Sequence, residues 1–79
     1  MQGARLRWQC RRGMRELDVL LVAWLDRHYA DAPDAQKAAF HALLELPDPE
    51  LAGYLLRGVP AADPLAAAVI AQIRGDAPA

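Results

Sequence analysis

Serine and threonine are absent from this 79-residue sequence, and cysteine occurs once. The absence of both hydroxyl residues excludes serine and threonine nucleophiles and every serine-based triad. The lone cysteine, Cys10, excludes an internal disulfide and indicates a reducing compartment. With His28 and His41 it gives no spacing typical of a metal site, so no metal is expected.

Other common catalytic patterns are also missing. There is no glycine-rich loop of the kind that binds phosphate groups. Glu16 and Asp18 form a pair of carboxylates, but residues two apart on a helix point in different directions. We therefore expect a protein that is not an enzyme.

Long apolar runs are lacking as well. None is longer than residues 19–25, which are far fewer than the roughly 20 residues needed to cross a bilayer. Neither a signal peptide nor a mitochondrial transit peptide is recognisable before it. We expect a cytoplasmic protein without stable membrane insertion.

What the sequence does contain favours one small helical domain. Its hydrophobic fraction of 54% argues against disorder, and much of that fraction is alanine and leucine, which favour helix. A chain of this size is expected to form a single domain over residues 1–79, with a core at about 4–74 and a frayed tail at 75–79.

Five helices are predicted from apolar residues spaced three and four apart and from proline and glycine at the helix ends. They are expected at about residues 4–12, 15–30, 33–46, 48–57 and 63–74. Gly13 is expected to adopt a left-handed backbone just past the first helix, which would place Arg11 and Arg12 in its last turn. Asp48 and Asp63, each followed by proline, are predicted N-caps. No alternating strand pattern is present, so the fold class is all-α, a small single-domain bundle of about five short helices.

The apolar stripes of these helices predict the core. The expected core residues are Leu6, Cys10, Leu17, Leu20, Leu21, Trp24, Leu25, Ala39, Phe40, Leu43, Leu44, Leu51, Tyr54, Leu55, Leu65, Ala66, Val69, Ile70 and Ile73. Cys10 is interpreted as an inert structural thiol and His28 as a half-buried histidine at the edge of the core. Trp8 is ambiguous, because its helix is too short to bury it well.

The net charge of −1 conceals a strongly basic end. Residues 1–15 carry five arginines and no acid, whereas the rest of the chain carries four basic residues and all ten acids. This asymmetry indicates an oriented encounter with a partner. The broadly basic surface typical of nucleic-acid binders is missing, so no nucleic-acid partner is expected.

Residues 11–18 connect the basic end to the second helix, and this segment is called the charged turn below. Its residues are Arg11, Arg12, Gly13, Met14, Arg15, Glu16, Leu17 and Asp18. A charge run is also typical of a solvated helix face, and composition alone leaves that alternative open. The glycine favours a functional interpretation, because a tight turn there fixes the orientation of Arg12 and Glu16.

The arrangement Arg12-Gly13-x-x-Glu16 matches an RGxxE motif, and the chain resembles the SdhE-type FAD assembly factors, the succinate dehydrogenase assembly factor 2 family. Residues 5–18 are similar to that family's N-terminal signature, and residues 40–45 and 48–51 to its third and fourth helices. The resemblance covers residues 5–74. Tyr54 departs from the pattern, since many relatives carry tryptophan there.

The resemblance implies a five-helix chaperone that binds the flavoprotein subunit of succinate dehydrogenase, and often that of fumarate reductase, and promotes its covalent FAD attachment. FAD would be attached to a histidine of the client, and this chain would hold no cofactor of its own. The missing transit peptide agrees with a bacterial member, for which a monomer is expected.

The contact surface that follows from this resemblance is centred on the motif. The expected partner-binding residues are Arg12, Gly13, Glu16, Met14, Arg15, Asp18, Arg11, Trp8 and Arg5. Arg12 is expected to make a bidentate contact to a carboxylate or to backbone carbonyls of the client. Gly13 is expected to permit close approach of the two backbones.

Two other function classes compete with this interpretation. Small helical proteins with basic ends often bind nucleic acid or toxins, so a regulatory protein of the antitoxin or nucleic-acid-binding type is the alternative. The net charge of −1 and the acidic segment at 34–50 argue against it. A structural subunit of a respiratory complex is the third possibility.

Overall fold

Five α-helices and a short 3₁₀ turn make up the computed structural model, which describes the backbone of residues 2–75 and the side chains of residues 6–75. The elements are α1 (Gln2–Gln9), α2 (Arg15–Arg27), the 3₁₀ turn (Tyr29–Asp31), α3 (Asp34–Leu44), α4 (Asp48–Leu55) and α5 (Pro64–Gly75). No strand occurs in the described part of the chain. The all-α prediction with about five helices is confirmed. The tail expected at 75–79 lies outside the described residues, except for Gly75, with which α5 ends.

Trp24 of α2 lies at the centre of the core. Its side chain is fully buried and stacks on Phe40 of α3, with 4.5 Å between the ring centroids. The indole Nε1–H donates a hydrogen bond of 3.0 Å to Oε1 of Gln72 in α5, so its polar group is satisfied. Trp24 therefore contacts both α3 and α5. These two helices also pack extensively against each other.

The second helix follows its apolar stripe as predicted. Leu17, Leu20 and Leu21 are buried with Trp24, and His28 is half-buried just past the helix end. The helix ends at Arg27, earlier than expected, and the chain continues through the 3₁₀ turn before Pro33. Tightening of the last turn into a 3₁₀ segment is common where a helix ends.

The end of the first helix was predicted wrongly. α1 ends at Gln9, so Arg11 and Arg12 lie in the connection to α2 and not in the last turn of a helix. The N–H of Cys10 donates to the carbonyls of Leu6 and Arg7, which closes the last turn early. The chain then leaves the helix axis, and the Arg12 side chain is directed to the corner between α3 and α4.

Two further predictions at helix starts need correction. Asp48 is the first residue of α4 and makes no capping bond to the backbone; its carboxylate accepts from Arg12 instead. Leu65 is 45% exposed, because it lies roughly a quarter turn away from the buried face of α5 at 100° per residue. Asp63 does cap α5 as predicted, with Oδ2 accepting from the N–H of Ala66 at 2.9 Å.

The aromatic residues outside the core differ in exposure. Tyr54 is half-buried at the margin of the core, close to the prediction, whereas Trp8 is 74% exposed on α1. None of the helices in the described part of the chain is long and apolar enough to span a membrane.

Candidate functional site

Gly13 forms the bend of the charged turn between α1 and α2. Its φ of +84° lies in the left-handed region, as the sequence predicts, and a side chain there would force a strained backbone. A Cβ atom built on Gly13 would meet no atom within 4 Å. The glycine is therefore required by the backbone conformation and not by crowding within this chain.

Asp18 holds the two ends of this bend together. Its Oδ1 atom accepts a hydrogen bond of 2.6 Å from the backbone N–H of Arg12, across the bend at Gly13. The Asp18 N–H in turn donates to the Met14 carbonyl, the first hydrogen bond of α2. The half-buried Asp18 carboxylate thus fixes where the chain enters α2.

The guanidinium of Arg12 points into the protein. Its Nε donates a hydrogen bond of 2.8 Å to Oδ1 of Asp48, and its two Nη atoms donate to the carbonyls of Leu44 and Leu46. Leu44 is the last residue of α3, where helix carbonyls lack partners within the helix and attract cations, and Leu46 lies two residues beyond it. The Arg12 side chain is only 13% exposed as a result.

This arrangement was not predicted from the sequence. From the sequence, Arg12 is expected to contact the client directly. In the structure, its guanidinium instead donates hydrogen bonds to groups of its own chain. The partners lie 32 to 36 positions further along the sequence, and no local spacing indicates such a contact. The sequence feature that could have indicated this contact is Asp48, an acid in the first turn of α4.

The outer face of the charged turn is formed by different residues. Arg11, Gly13, Arg15 and Glu16 are exposed, and Glu16 forms no hydrogen bond or ion pair with any other described side chain. Met14 is half-buried and packs against the core. The surface available to a partner therefore consists of two arginines, one glutamate and a bare backbone at the glycine.

The exposed Trp8 adds apolar area on the neighbouring helix, and Val19 of α2 is also 47% exposed. Aromatic side chains of this kind supply a large contact area at a small entropic cost. Arg5, the remaining predicted contact residue, lies outside the residues whose side chains are described.

The described arginines of the basic end divide into those with an ion pair and those without one. Arg7 forms an ion pair with Asp26 of α2, and Arg12 forms one with Asp48. Arg11 and Arg15 remain exposed, without an ion pair among the described residues. Fewer positive charges are therefore available to a partner than the sequence suggests, and they lie on either side of Gly13.

Cys10 lies beneath this surface with no exposed area. Burial raises the pKa of its thiol from 9.0 to about 11, although Arg7 acts in the opposite direction. A thiol with so high a pKa is protonated at neutral pH and is a poor nucleophile and metal ligand. The description of Cys10 as a structural thiol agrees with this environment.

The exposed groups of this surface are suited to recognition of a partner. Within residues 6–75, no cluster of three or more histidine, cysteine, aspartate or glutamate side chains could hold a metal ion. The exposed charges of Arg11, Arg15 and Glu16 can form ion pairs and hydrogen bonds with a complementary protein surface.

Comparison with known proteins gives a consistent assignment. A family model described as "Sdh5: Flavinator of succinate dehydrogenase" matches residues 4–77. A protein of Shewanella oneidensis named FAD assembly factor SdhE is 46% identical over 77 residues, which cover 98% of this chain and 94% of that protein. Proteins of the same name are 34% identical in Haemophilus ducreyi, over 89% of this chain and 85% of that protein, and 45% identical in Yersinia pseudotuberculosis, over 67% and 60%. No solved structure gives a significant match.

These names describe assembly factors and not catalysts, and they do not favour the antitoxin or nucleic-acid-binding alternative. The match covers nearly the whole chain, including the charged turn, most of α1 and all of α2 to α5. The chain belongs to the Sdh5 family, the flavinators of succinate dehydrogenase.

Proposed function

We propose that this protein binds the flavoprotein subunit of succinate dehydrogenase and promotes covalent attachment of FAD to it. Family membership over residues 4–77 supports the client and the reaction. The flavoprotein of fumarate reductase is a second client under this proposal. FAD stays with the client, and this chain acts as a cytoplasmic, monomeric bacterial chaperone without a cofactor of its own.

The client-binding surface in this proposal is the outer face of the charged turn. The observation that carries it is the exposure of Glu16 beside the left-handed Gly13, in a turn that Asp18 and Arg12 hold from within. Exposed Arg11, Arg15 and Trp8 extend the surface. An interface of standard size buries about 800 Å² on each partner, which a small domain can supply without a pocket.

Glu16 and Gly13 have different roles in this surface. The Glu16 carboxylate offers charge-assisted hydrogen bonds to donors of the client. The exposed Gly13 backbone allows the client backbone to approach closely, since a Cβ there would project into open space. Arg12 and Asp18 keep this geometry and make their hydrogen bonds inside the protein.

The experiment is complementation of a bacterial strain that lacks its own assembly factor. Glu16→Ala is expected to fold normally and to weaken client binding about tenfold, through the loss of a charged hydrogen bond worth about 1.5 kcal/mol, and so to reduce covalent FAD on the flavoprotein. The measurement is FAD fluorescence of the client on a denaturing gel. The matched control is Asp34→Ala, which removes an exposed acid from the first turn of α3, at the end of that helix remote from Arg12. Normal flavinylation with Glu16→Ala would contradict the proposed surface.

A further inference from the structure

Arg12 differs from the exposed residues of the charged turn. A side chain that contacts a client must be accessible, but that of Arg12 is 13% exposed and all three guanidinium nitrogens donate to its own chain. Two of these acceptors, the carbonyls of Leu44 and Leu46, are neutral. The third is the carboxylate of Asp48, which forms the only ion pair of Arg12 among the described residues.

We propose that Asp48 is a positioning residue for client binding: it holds Arg12 against the corner between α3 and α4, so that Gly13 and Glu16 are presented in one geometry. This inference rests on the proposed function, since it concerns the same client-binding surface. It gives Asp48 a role in recognition although its carboxylate faces Arg12 of its own chain.

The charge of Asp48 matters because Arg12 is mostly shielded from water. A guanidinium bound only to carbonyls in such a place is a desolvated cation without a counterion, which is unfavourable. Removal of the carboxylate therefore favours states in which Arg12 swings out to solvent. The charged turn is then held by the bond from the Arg12 N–H to Asp18 alone.

Loss of this anchor acts on the residues next to Arg12. Gly13 has a wide range of accessible backbone angles, so it does not keep its left-handed conformation without support from its neighbours. Glu16 lies one helical turn from that bend, in the first turn of α2. A turn that samples several conformations binds more weakly, since the client has to select the competent one.

The test compares binding of purified variants to the purified flavoprotein subunit of succinate dehydrogenase in the presence of FAD. Asp48→Ala is expected to raise Kd about tenfold, and Asp48→Asn, which keeps an oxygen acceptor but loses the charge, by about threefold. Asp63→Ala is the matched control, because it also removes a carboxylate hydrogen bond at a helix start, the one from the N–H of Ala66. Its Kd is expected to stay within about twofold of the wild-type value.

Three further measurements make the positioning role specific. In the free protein, hydrogen exchange of the Arg12 amide is expected to accelerate in Asp48→Ala and to stay unchanged in Asp63→Ala. The double variant Arg12→Ala/Asp48→Ala is expected to bind no more weakly than Arg12→Ala, because both changes break the same contact. Glu16→Ala is measured in parallel to test the surface itself.

The outcomes separate the two proposals. Equal Kd values for wild-type, Asp48→Ala and Asp48→Asn protein, together with weakened binding by Glu16→Ala, would overturn the positioning role and leave the proposed function standing. Additive losses in the double variant would also overturn it, since Asp48 would then act independently of Arg12. Unchanged binding by Glu16→Ala would overturn the proposed surface instead.

Discussion

The Nε atom of Arg12 lies 2.8 Å from Oδ1 of Asp48, although 36 positions of sequence separate the two residues. This contact joins the basic end of the chain to the start of α4, and the Nη atoms of the same guanidinium bind the last carbonyl of α3 and one in the connection to α4. The arginine of the RGxxE motif is therefore anchored inside its own protein. The glycine and the glutamate of the motif face outward.

We expect alanine at Gly13 to impair flavinylation more than it impairs folding. The left-handed φ of +84° makes Gly13→Ala unfavourable by about 1–2 kcal/mol, but the new Cβ meets no atom of this chain. For a domain of this size that corresponds to a decrease in Tm of about 4–16 °C. Circular dichroism checks Tm, and covalent FAD on the client checks function.

Gly58 offers the matched control for that prediction. Its φ is +75°, and a Cβ there meets only the flexible end of Arg74, at 3.4 Å or more. Gly58→Ala is expected to lower Tm by a similar amount and to leave flavinylation normal in cells grown well below that temperature. Gly13→Arg adds bulk at the proposed interface and should abolish flavinylation. Normal client flavinylation by folded Gly13→Arg protein would show that Gly13 is not at the interface.

Cys10 makes stability depend on alkaline pH. Its thiol ionises near pH 9.0 in the unfolded chain but only at about pH 11 in the folded protein, since burial disfavours the thiolate. The folded state thus holds the proton more tightly, and this contribution to stability, complete below pH 9, is lost as pH rises from 9 to 11. Urea unfolding at pH 8 and at pH 10 measures the change in free energy of unfolding.

Cys10→Ala isolates this effect, because every other ionisable group is the same in the two proteins. The free energy of unfolding should fall more steeply with pH in the wild-type protein than in this variant. Native protein should also resist iodoacetamide at pH 8, whereas urea-unfolded protein should react fully. Rapid alkylation of the native thiol would mean that Cys10 is accessible, contrary to its complete burial.

Gln72 is expected to contribute to stability despite its exposed position. Its Oε1 atom accepts the indole N–H of the fully buried Trp24 at 3.0 Å. Gln72→Leu leaves that N–H without an acceptor, which costs about 1–3 kcal/mol. Chemical unfolding followed by circular dichroism measures the loss.

An exposed glutamine elsewhere provides the comparison. Gln9→Leu, at the end of α1, should change the free energy of unfolding by less than about 0.5 kcal/mol, as is usual for surface substitutions. If both leucine variants were equally stable, the hydrogen bond from Trp24 to Gln72 would carry no net stabilisation.

The sequence predicted the parts of this structure that local patterns determine. The apolar stripe of α2 placed Trp24 in the core, the glycine placed a left-handed bend at residue 13, and Asp63 was correctly assigned as a cap. Each of these features depends on residues within a few positions of one another. The sequence also predicted a charged turn with exposed side chains. Its contacts with the client remain a prediction.

The features that were missed depend on tertiary contacts. The inward direction of Arg12 and the use of Asp48 as its acceptor depend on one contact between distant segments, and the early end of α1 was missed with them. Helix periodicity carries no information about which distant carbonyls an arginine will meet. The exposure of Leu65 was missed for a related reason, since the extent of the face that α5 buries is set by its neighbours.

Under the proposed positioning role of Asp48, the anchoring of Arg12 also determines when the client-binding surface forms during synthesis. The RGxxE motif is near the beginning of the chain, but Asp48 is translated 36 positions later, about 2–7 seconds at ordinary ribosome speeds. The motif therefore leaves the ribosome first and receives its anchor only after α3 and the start of α4 have emerged. A nascent or truncated chain carries the whole motif in its sequence without the folded surface that a client would recognise.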